Sequence, residues 1–271
     1  MIPVNFIEEW REKAPWQTLE MVEQDLVISR VLICLYNHPH IRKALAFRGG
    51  TALNKLYINP AARYSEDIDL VQLISEPIGD TVKAIRSVLD DWLGAPKSKL
   101  TKRSAKLIYR FSSVGTVGSK LKIEINTTEH FHIRPLKLET HIIQSPWFQG
   151  KADILTYELE ELMATKLCAL YQRSKGRDLF DLWLVHQHNL IDVDKTIAIF
   201  NEFCQKTNAN ITRALFEENL QGKFKDSSFR NDMRALLSPT FQWDFDKTYY
   251  EVMKNFICHL RGNSWKSLEG H

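Results

Sequence analysis

The sequence predicts an α/β (α+β) fold with N-terminal helices, a mixed-sheet core and a C-terminal helical domain. Three changes in apolar spacing lead to this prediction. The first 45 residues have helical spacing, residues 47 to about 140 mix strand patterns with two helices, and the spacing becomes helical again after residue 146. We therefore expect two domains, 1–145 and 146–271, with an unstructured tail over residues 264–271.

The composition is that of a globular protein: 271 residues with 44% hydrophobic content can bury a substantial core. Residues 1–11 carry acids and a tryptophan in place of a basic start and an apolar run, and no stretch approaches ~18 uninterrupted apolar residues. We therefore expect a cytoplasmic protein with no membrane partner. The net charge of +3 is too small to identify a nucleic-acid partner.

Acidic and apolar residues alternate over residues 67–71. If this segment is a strand, Asp67 and Asp69 project from one face while Ile68 and Leu70 enter the core. Their Cα atoms then lie about 6.6 Å apart, and at an effective dielectric of about 20 the ionised pair would repel by about 2.5 kcal/mol. A cation between the carboxylates relieves this repulsion, and oxygen-only ligands favour Mg²⁺ or Mn²⁺.

A glycine pair precedes the acidic strand, separated from it by a short helix and a loop. Gly49 and Gly50 permit close backbone approach or positive φ, and residues 51–57, which begin at Thr51, predict a helix whose free N–H groups would face a phosphate. A glycine pair alone is usually a turn, and a D-x-D segment alone is usually a solvated strand face. Their order and spacing together favour a single site for a phosphorylated ligand and a metal.

These residues resemble the nucleotidyltransferase superfold of polymerase-beta-like enzymes, whose signature is an apolar residue, Gly-Gly or Gly-Ser, a short helix and two acids on one strand. More narrowly, FRGGTALNKLY and RYSEDIDL resemble the AbiEii/AbiGii abortive-infection toxin family of bacterial nucleotidyltransferases. The resemblance covers roughly residues 47–185. It implies a nucleotidyltransferase mixed-sheet core, an NTP substrate and a Mg²⁺ (or Mn²⁺) cofactor.

The family's third carboxylate matches Glu124, which lies between two isoleucines in the segment 121–126. Spacing does not bring Glu124 to Asp67 and Asp69, and as a bare sequence feature it would be an ordinary surface acid. The resemblance implies that all three acids converge as metal ligands. It also implies that the phosphates are oriented by Gly49, Gly50 and Thr51, with Ser65 and Arg63 as weaker candidates.

A later segment matches the family's K-x-x-A-x-x-x-R motif. Thr156 as N-cap, glutamates in the first turns and Gly176 as a stop predict a helix from about 157 to 175. Lys166 falls within its apolar stripe, and Arg173 shares that face. A lysine there either snorkels outward or meets an anion in a cleft. The resemblance favours a contact of Lys166, helped by Arg173, with the triphosphate.

The R-D-x-x-D-L motif that follows places Asp178 and Asp181 three residues apart on one helix face. Their plain structural roles would be helix capping and a salt bridge to Arg177 or Lys175. The resemblance adds them to the active site without defining their chemistry. The implied catalytic set is Asp67, Asp69, Glu124, Lys166, Asp178 and Asp181.

Positive charge is concentrated in the fourteen residues 97–110, at Lys97, Lys99, Lys102, Arg103, Lys106 and Arg110. The segment predicts a β-hairpin that offers a basic edge to an RNA backbone. A solvated hairpin whose lysines discourage edge-to-edge aggregation explains the same pattern.

The resemblance implies the toxin half of a bacterial toxin–antitoxin or phage-defence pair, which transfers a nucleotide from an NTP to an RNA such as tRNA and has a cognate antitoxin as partner. The cleft is expected between the two domains. Two alternatives stay open. A small-molecule (antibiotic-type) nucleotidyltransferase would have a compact acceptor pocket, and a non-catalytic nucleotide-binding module would bind nucleotide without metal-dependent transfer.

Overall fold

The computed structural model describes residues 2–115 and 118–265, and the chain divides into two compact units. The first comprises Met1–Tyr157 with Leu236–Pro239, and the second comprises Glu158–Ala235 with Thr240–His271. The expected division after residue 145 differs from this, because it would cut the hairpin formed by the last two strands of the sheet. Of the expected tail, residues 266–271 lie outside the described residues.

The first unit holds the strands and the N-terminal helices. Its helices are α1 (Val4–Trp10), α2 (Leu19–Tyr36), α3 (Pro39–Ala44), α4 (Gly49–Ala52) and α5 (Gly79–Leu93), with a π-helical turn at Leu53–Tyr57 directly after α4. Its strands are β1 (Leu45–Arg48), β2 (Asp67–Gln72), β3 (Lys97–Leu100), β4 (Ser104–Phe111), β5 (Ser119–Asn126), β6 (Lys137–Gln144) and β7 (Gln149–Thr156).

The strands form one mixed sheet in the order β3-β4-β5-β2-β1-β7-β6. The pairs β2–β5 and β1–β7 are parallel, and the other neighbours are antiparallel. Ile68, Leu70 and Ile123 are buried in the core that also contains apolar residues of α2 and α5. Because side chains alternate along a strand, the residues between them face the other side of the sheet. The predicted mixed α/β class is confirmed.

The second unit is helical within the described residues. It contains α6 (Leu159–Gln172), α7 (Gly176–Gln187), α8 (Val193–Lys206), α9 (Arg213–Phe224), α10 (Ser227–Asn231), α11 (Phe245–Asn255) and a 3-10 turn at Ile257–His259. Helix α6 packs on α7 and α8, and α7 packs on α11. No helix of residues 2–115 and 118–265 is both long enough and apolar enough to cross a membrane.

Two of the predicted helix boundaries were wrong. Glu158, not Thr156, is the N-cap residue of α6, because Thr156 still belongs to β7 and its hydroxyl donates a 2.7 Å hydrogen bond to the Phe47 carbonyl. Helix α6 ends at Gln172, and Gly176 is the first residue of α7. A side chain at Gly176 would collide with the Phe229 carbonyl, so its small size serves packing and does not end a helix.

Candidate functional site

The parallel pairing of β2 and β5 brings Glu124 beside the two aspartates. Asp69 lies opposite Glu124 in the ladder, and Asp67 lies opposite Lys122. Neighbouring strands are about 4.8 Å apart and directly opposed side chains share a face. The three acids therefore project from the same face of two adjacent strands, away from the buried Ile68.

Two lysine ammonium groups lie among these carboxylates. The Lys122 Nζ is 2.8 Å from Asp67 Oδ2 and 3.4 Å from Glu124 Oε2, while the Lys106 Nζ is 2.7 Å from Glu124 Oε1. Burial raises the pKa of Glu124, but the two ammonium groups outweigh it and hold that pKa below its usual value. Burial lowers the pKa of Lys122, but Asp67, Glu124 and Asp69 outweigh it and raise that pKa. Glu124 and Lys122 are therefore both charged at neutral pH.

The donor chemistry of this cluster suits a divalent ion. Carboxylate oxygens are the ligands that Mg²⁺ and Mn²⁺ prefer, and the cluster already attracts cationic groups. Within the described parts of the chain, however, no group of three His, Cys, Asp or Glu side chains is arranged to hold a metal as it stands. Asp67 and Asp69 are the candidates to hold an ion, with Lys122 in contact with Asp67 Oδ2, and both oxygens of Glu124 are engaged by lysines.

The glycine pair contacts this cluster from the side of β1, the strand that neighbours β2 on the edge away from β5. Gly49 has φ 84°, a left-handed conformation that favours glycine, and an added Cβ would collide with Asp69 Oδ2. Gly50 needs its small size for another reason, because a Cβ there would collide with Arg63 Nη2. The backbone at the start of α4 therefore approaches the Asp69 carboxylate closely, which places the candidate phosphate turn and the candidate metal ligand side by side.

The Thr51 hydroxyl fastens this turn to the start of β2, and Ser65 and Arg63 lie beside it. The Thr51 Oγ1 is 2.8 Å from Ser65 Oγ and also donates to the Asp67 carbonyl. Thr51 is buried, so its hydroxyl holds α4 against the start of β2, and only its backbone N–H remains a candidate phosphate donor. Arg63 is 1% exposed and donates from Nη1 to the Tyr64 carbonyl at 3.0 Å, which adds a buried positive charge beside the turn.

In the second unit, the motif residues form a buried ion cluster. The Lys166 Nζ is 3.1 Å from Asp178 Oδ1 and 2.7 Å from Asp181 Oδ2. Arg173 donates to both oxygens of Asp178, from Nε at 2.7 Å and from Nη2 at 2.9 Å. Burial raises the pKa of Asp178, but the charges and hydrogen bonds of Lys166 and Arg173 outweigh it and lower that pKa to about 2.

The structure contradicts the snorkelling alternative for Lys166 and the expected salt-bridge partners of the two aspartates, whereas the contact of Lys166 with the triphosphate stays a prediction. Lys166 is 6% exposed, so it does not snorkel, and its ammonium group contacts carboxylates of its own unit. The two aspartates pair with Lys166 and Arg173 instead of the expected Arg177 or Lys175, and Lys175 lies 3.7 Å from Asp232. The side chain of Arg173 is half exposed, which leaves it accessible to a ligand.

The predicted hairpin is formed by β3 and β4, and its strand cations Lys97, Lys99, Lys106 and Arg110 lie on the same face as the acids, whereas Lys102 and Arg103 lie in the turn. Lys99 lies opposite Lys106, Lys106 opposite Glu124, and Glu124 opposite Asp69. Further along the same face, Arg110 lies opposite Lys120. A basic surface, made of β3, β4 and the first half of β5, therefore borders the acids directly.

The candidate residues thus fall into two sets. The first unit brings together Gly49, Gly50, Thr51, Ser65, Asp67, Asp69 and Glu124, and the second brings together Lys166, Arg173, Asp178 and Asp181. Sequence reasoning missed Lys122 as a member of the acid cluster. The sequence feature that could have identified Lys122 is the alternation of polar and apolar residues over 120–126, which places Lys120, Lys122 and Glu124 on one face of a strand.

Comparisons with known proteins agree with this geometry. The family model described as "Nucleotidyl transferase AbiEii toxin, Type IV TA system" matches residues 30–250. No curated protein sequence matches the chain. The structure of the nucleotidyltransferase toxin MenT4 from Mycobacterium tuberculosis is 18% identical, with a TM-score of 0.67 over 97% of this chain and 91% of that chain.

Two structures from Helicobacter pylori are also similar. A putative nucleotidyltransferase is 18% identical, with a TM-score of 0.53 over 88% of this chain and 93% of that chain. The protein JHP933 is 17% identical, with a TM-score of 0.52 over 88% of this chain and 90% of that chain. At these identities the structural matches show a shared fold, whereas the family model covers most of the chain. The chain therefore belongs to the AbiEii family, the nucleotidyl transferase toxins of type IV toxin–antitoxin systems, and is a nucleotidyltransferase.

Proposed function

We propose that this chain is a metal-dependent toxin that transfers a nucleotide from an NTP to an RNA such as tRNA. The observation that carries the proposal is the order of groups across the sheet. Strand β2, with Asp69, lies between β1, which leads into Gly49, and β5, which carries Glu124. The triphosphate side and the acceptor side of the reaction are therefore on opposite sides of one carboxylate.

On the triphosphate side, Gly49 and Gly50 let the backbone approach the phosphates, and the buried Arg63 adds positive charge beside them. Mg²⁺ or Mn²⁺ bound by Asp67 and Asp69 would activate the attacking oxygen and neutralise charge on the transferred phosphate. The acceptor hydroxyl oxygen attacks the α-phosphorus, the bond to the β-phosphate breaks and pyrophosphate leaves. Orientation and electrostatics supply the acceleration.

On the acceptor side, Glu124 takes up the proton of the attacking hydroxyl. Beyond it, the open basic surface of β3 and β4 favours a polyanionic acceptor, because lysines spaced along strands can neutralise successive phosphates. A small-molecule acceptor would instead require a compact pocket and would not need an extended basic surface. This is the reason to propose RNA as the acceptor.

In the second unit we propose Arg173 as the residue that contacts an anionic ligand, because its side chain is half exposed and its guanidinium is held by Asp178. The Lys166 ammonium contacts Asp178 and Asp181, and its positive charge offsets the negative charge of these two buried carboxylates. A cognate antitoxin is the proposed genetic partner, following the type IV description of the family. Because NTPs and tRNA are cytoplasmic, the reaction is expected there.

The test is transfer of label from each α-labelled NTP to total bacterial RNA with Mg²⁺. Asp69→Asn is the test variant, and Asp153→Asn, an exposed aspartate of β7, is the matched control. We expect Asp69→Asn to reduce transfer by at least about 100-fold, as for loss of other preorganised electrostatic groups, and the control to retain it. Equal labelling by both variants, or label on a small molecule and none on RNA, would contradict the proposal.

A further inference from the structure

Lys122 occupies the place between the acids where an acceptor-side cation would lie. Its Nζ is within 2.8 Å of Asp67 Oδ2 and 3.4 Å of Glu124 Oε2. The contact follows from the register, because Lys122 is directly opposite Asp67 and two residues before Glu124 on the same face. An ammonium group here is built into the strand and is not a chance surface pairing.

The surroundings of Lys122 leave little freedom for another arrangement. Lys106 holds the second oxygen of Glu124 at 2.7 Å, so both oxygens of this carboxylate already have a cationic partner. An ion coordinated by Asp67 Oδ2 and Glu124 Oε2 together would lie at about 2.1 Å from the two oxygens that Lys122 contacts. Two cations at such short separation repel strongly, so the ion and the ammonium group compete for one position.

The other lysine of this strand behaves differently. Lys120 lies on the same face two residues earlier, is exposed, and forms no ion pair with any residue in the described ranges. Positive charge on β5 is therefore not by itself enough to engage the acids. The position opposite Asp67 is what distinguishes Lys122.

We propose that the Lys122 ammonium is the resident cation of the acceptor side, and that this chain therefore binds a single divalent ion, through Asp67 and Asp69. Many nucleotidyl-transfer sites hold two ions about 3.5 to 4 Å apart, and here the lysine supplies the second positive charge. Lys122 is a positioning residue that fixes Glu124 beside the acceptor. The inference rests on the metal site of the proposed function, but it concerns a residue that the sequence motifs do not include.

The first test counts Mn²⁺ ions bound to the NTP-free full-length protein, by calorimetry and by the loss of the free Mn²⁺ paramagnetic resonance signal. Lys122→Met is the test variant and Lys120→Met is the control for the general loss of one positive charge. We expect Lys122→Met to bind one more ion than the wild type, or to bind Mn²⁺ at least about tenfold more tightly, a difference of ~1.4 kcal/mol. Lys120→Met should match the wild type. Equal stoichiometry and affinity in all three proteins would overturn the proposal.

The second test measures how fast acetylating reagent modifies each lysine, by mass spectrometry, with and without saturating Mn²⁺. If Lys122 remains between the acids, its rate of acetylation should stay lower than that of Lys120 when Mn²⁺ is bound. Exposure of Lys122 by Mn²⁺ would show that the ion displaces it and would overturn the proposal. Neither test contains NTP or RNA, so a failure to label RNA and a failure of the Lys122 assignment are separate results. A thermal unfolding curve of Lys122→Met, with Lys122→Arg as the charge-retaining variant, verifies that the folded protein is compared.

Discussion

Replacing Lys166 with methionine removes the ammonium group that lies between two fully buried carboxylates. Asp178 would keep Arg173, whereas Asp181 would lose the ammonium at 2.7 Å. Removing one partner of a buried ion pair typically costs about 3–5 kcal/mol, because the remaining buried charge loses a counter-charge. For a protein of this size that corresponds to a fall in Tm of roughly 6–20 °C.

Urea and thermal unfolding, followed by circular dichroism, measure this cost. Lys83→Met is the matched control, since Lys83 is 81% exposed and pairs with an equally exposed aspartate on its own helix. The control should change stability by less than about 0.5 kcal/mol. A triple variant that also carries Asp178→Asn and Asp181→Asn should recover part of the loss, because the buried charges are removed together. If Lys166→Met keeps wild-type stability and loses only NTP affinity, Lys166 is a direct ligand contact and not the counter-charge of the two aspartates.

Two further predictions concern the glycine turn and acid stability. Gly49→Ala should reduce transfer of labelled NTP by at least about tenfold, because the new methyl group meets Asp69 at positive φ. Gly79→Ala, with open space around it, should keep the wild-type rate. Acid should destabilise the second unit through Asp178, whose pKa falls to about 2 in the fold. The stabilisation, about 2 kcal/mol, is present above the ordinary pKa near 3.8 and is lost as pH falls towards 2, because the unfolded chain takes up the proton first. In urea titrations from pH 5 to 2, Asp178→Asn should show a smaller decline than the wild type, and equal declines would contradict this account.

Local patterns were enough to predict β2 and the helical turn before it. The alternation around Asp67 and Asp69 specifies one buried and one polar face, and the glycine pair marks the close approach that the structure contains. The hairpin of β3 and β4 also follows from its own sequence. These features depend on neighbours within a few residues, which is why periodicity detects them.

Non-local features required the structure. The position of Glu124 depends on the parallel register of β2 and β5, which are adjacent in the sheet but separated along the chain by α5 and the β3–β4 hairpin, and no spacing rule contains that register. Lys166 lies on the helix face that was predicted, but its partners come from α7, and helix periodicity does not identify partners on another element. Threonine is a common N-cap residue, but Thr156 lies in β7, where its hydroxyl donates a hydrogen bond to the Phe47 carbonyl of the neighbouring strand.

The alternation along β5 sets a constraint on insertions and deletions in this region. Asp69 and Glu124 share a face because side chains alternate with a period of two along each strand. If one residue were gained or lost inside β5, Glu124 would point into the apolar core. An isoleucine would then lie on the face that carries the acids. A gain or loss of two residues would restore the buried face but bring a lysine or an asparagine opposite Asp69. Homologues that differ in length here are therefore expected to differ outside β5, in the segments that connect it to its neighbours.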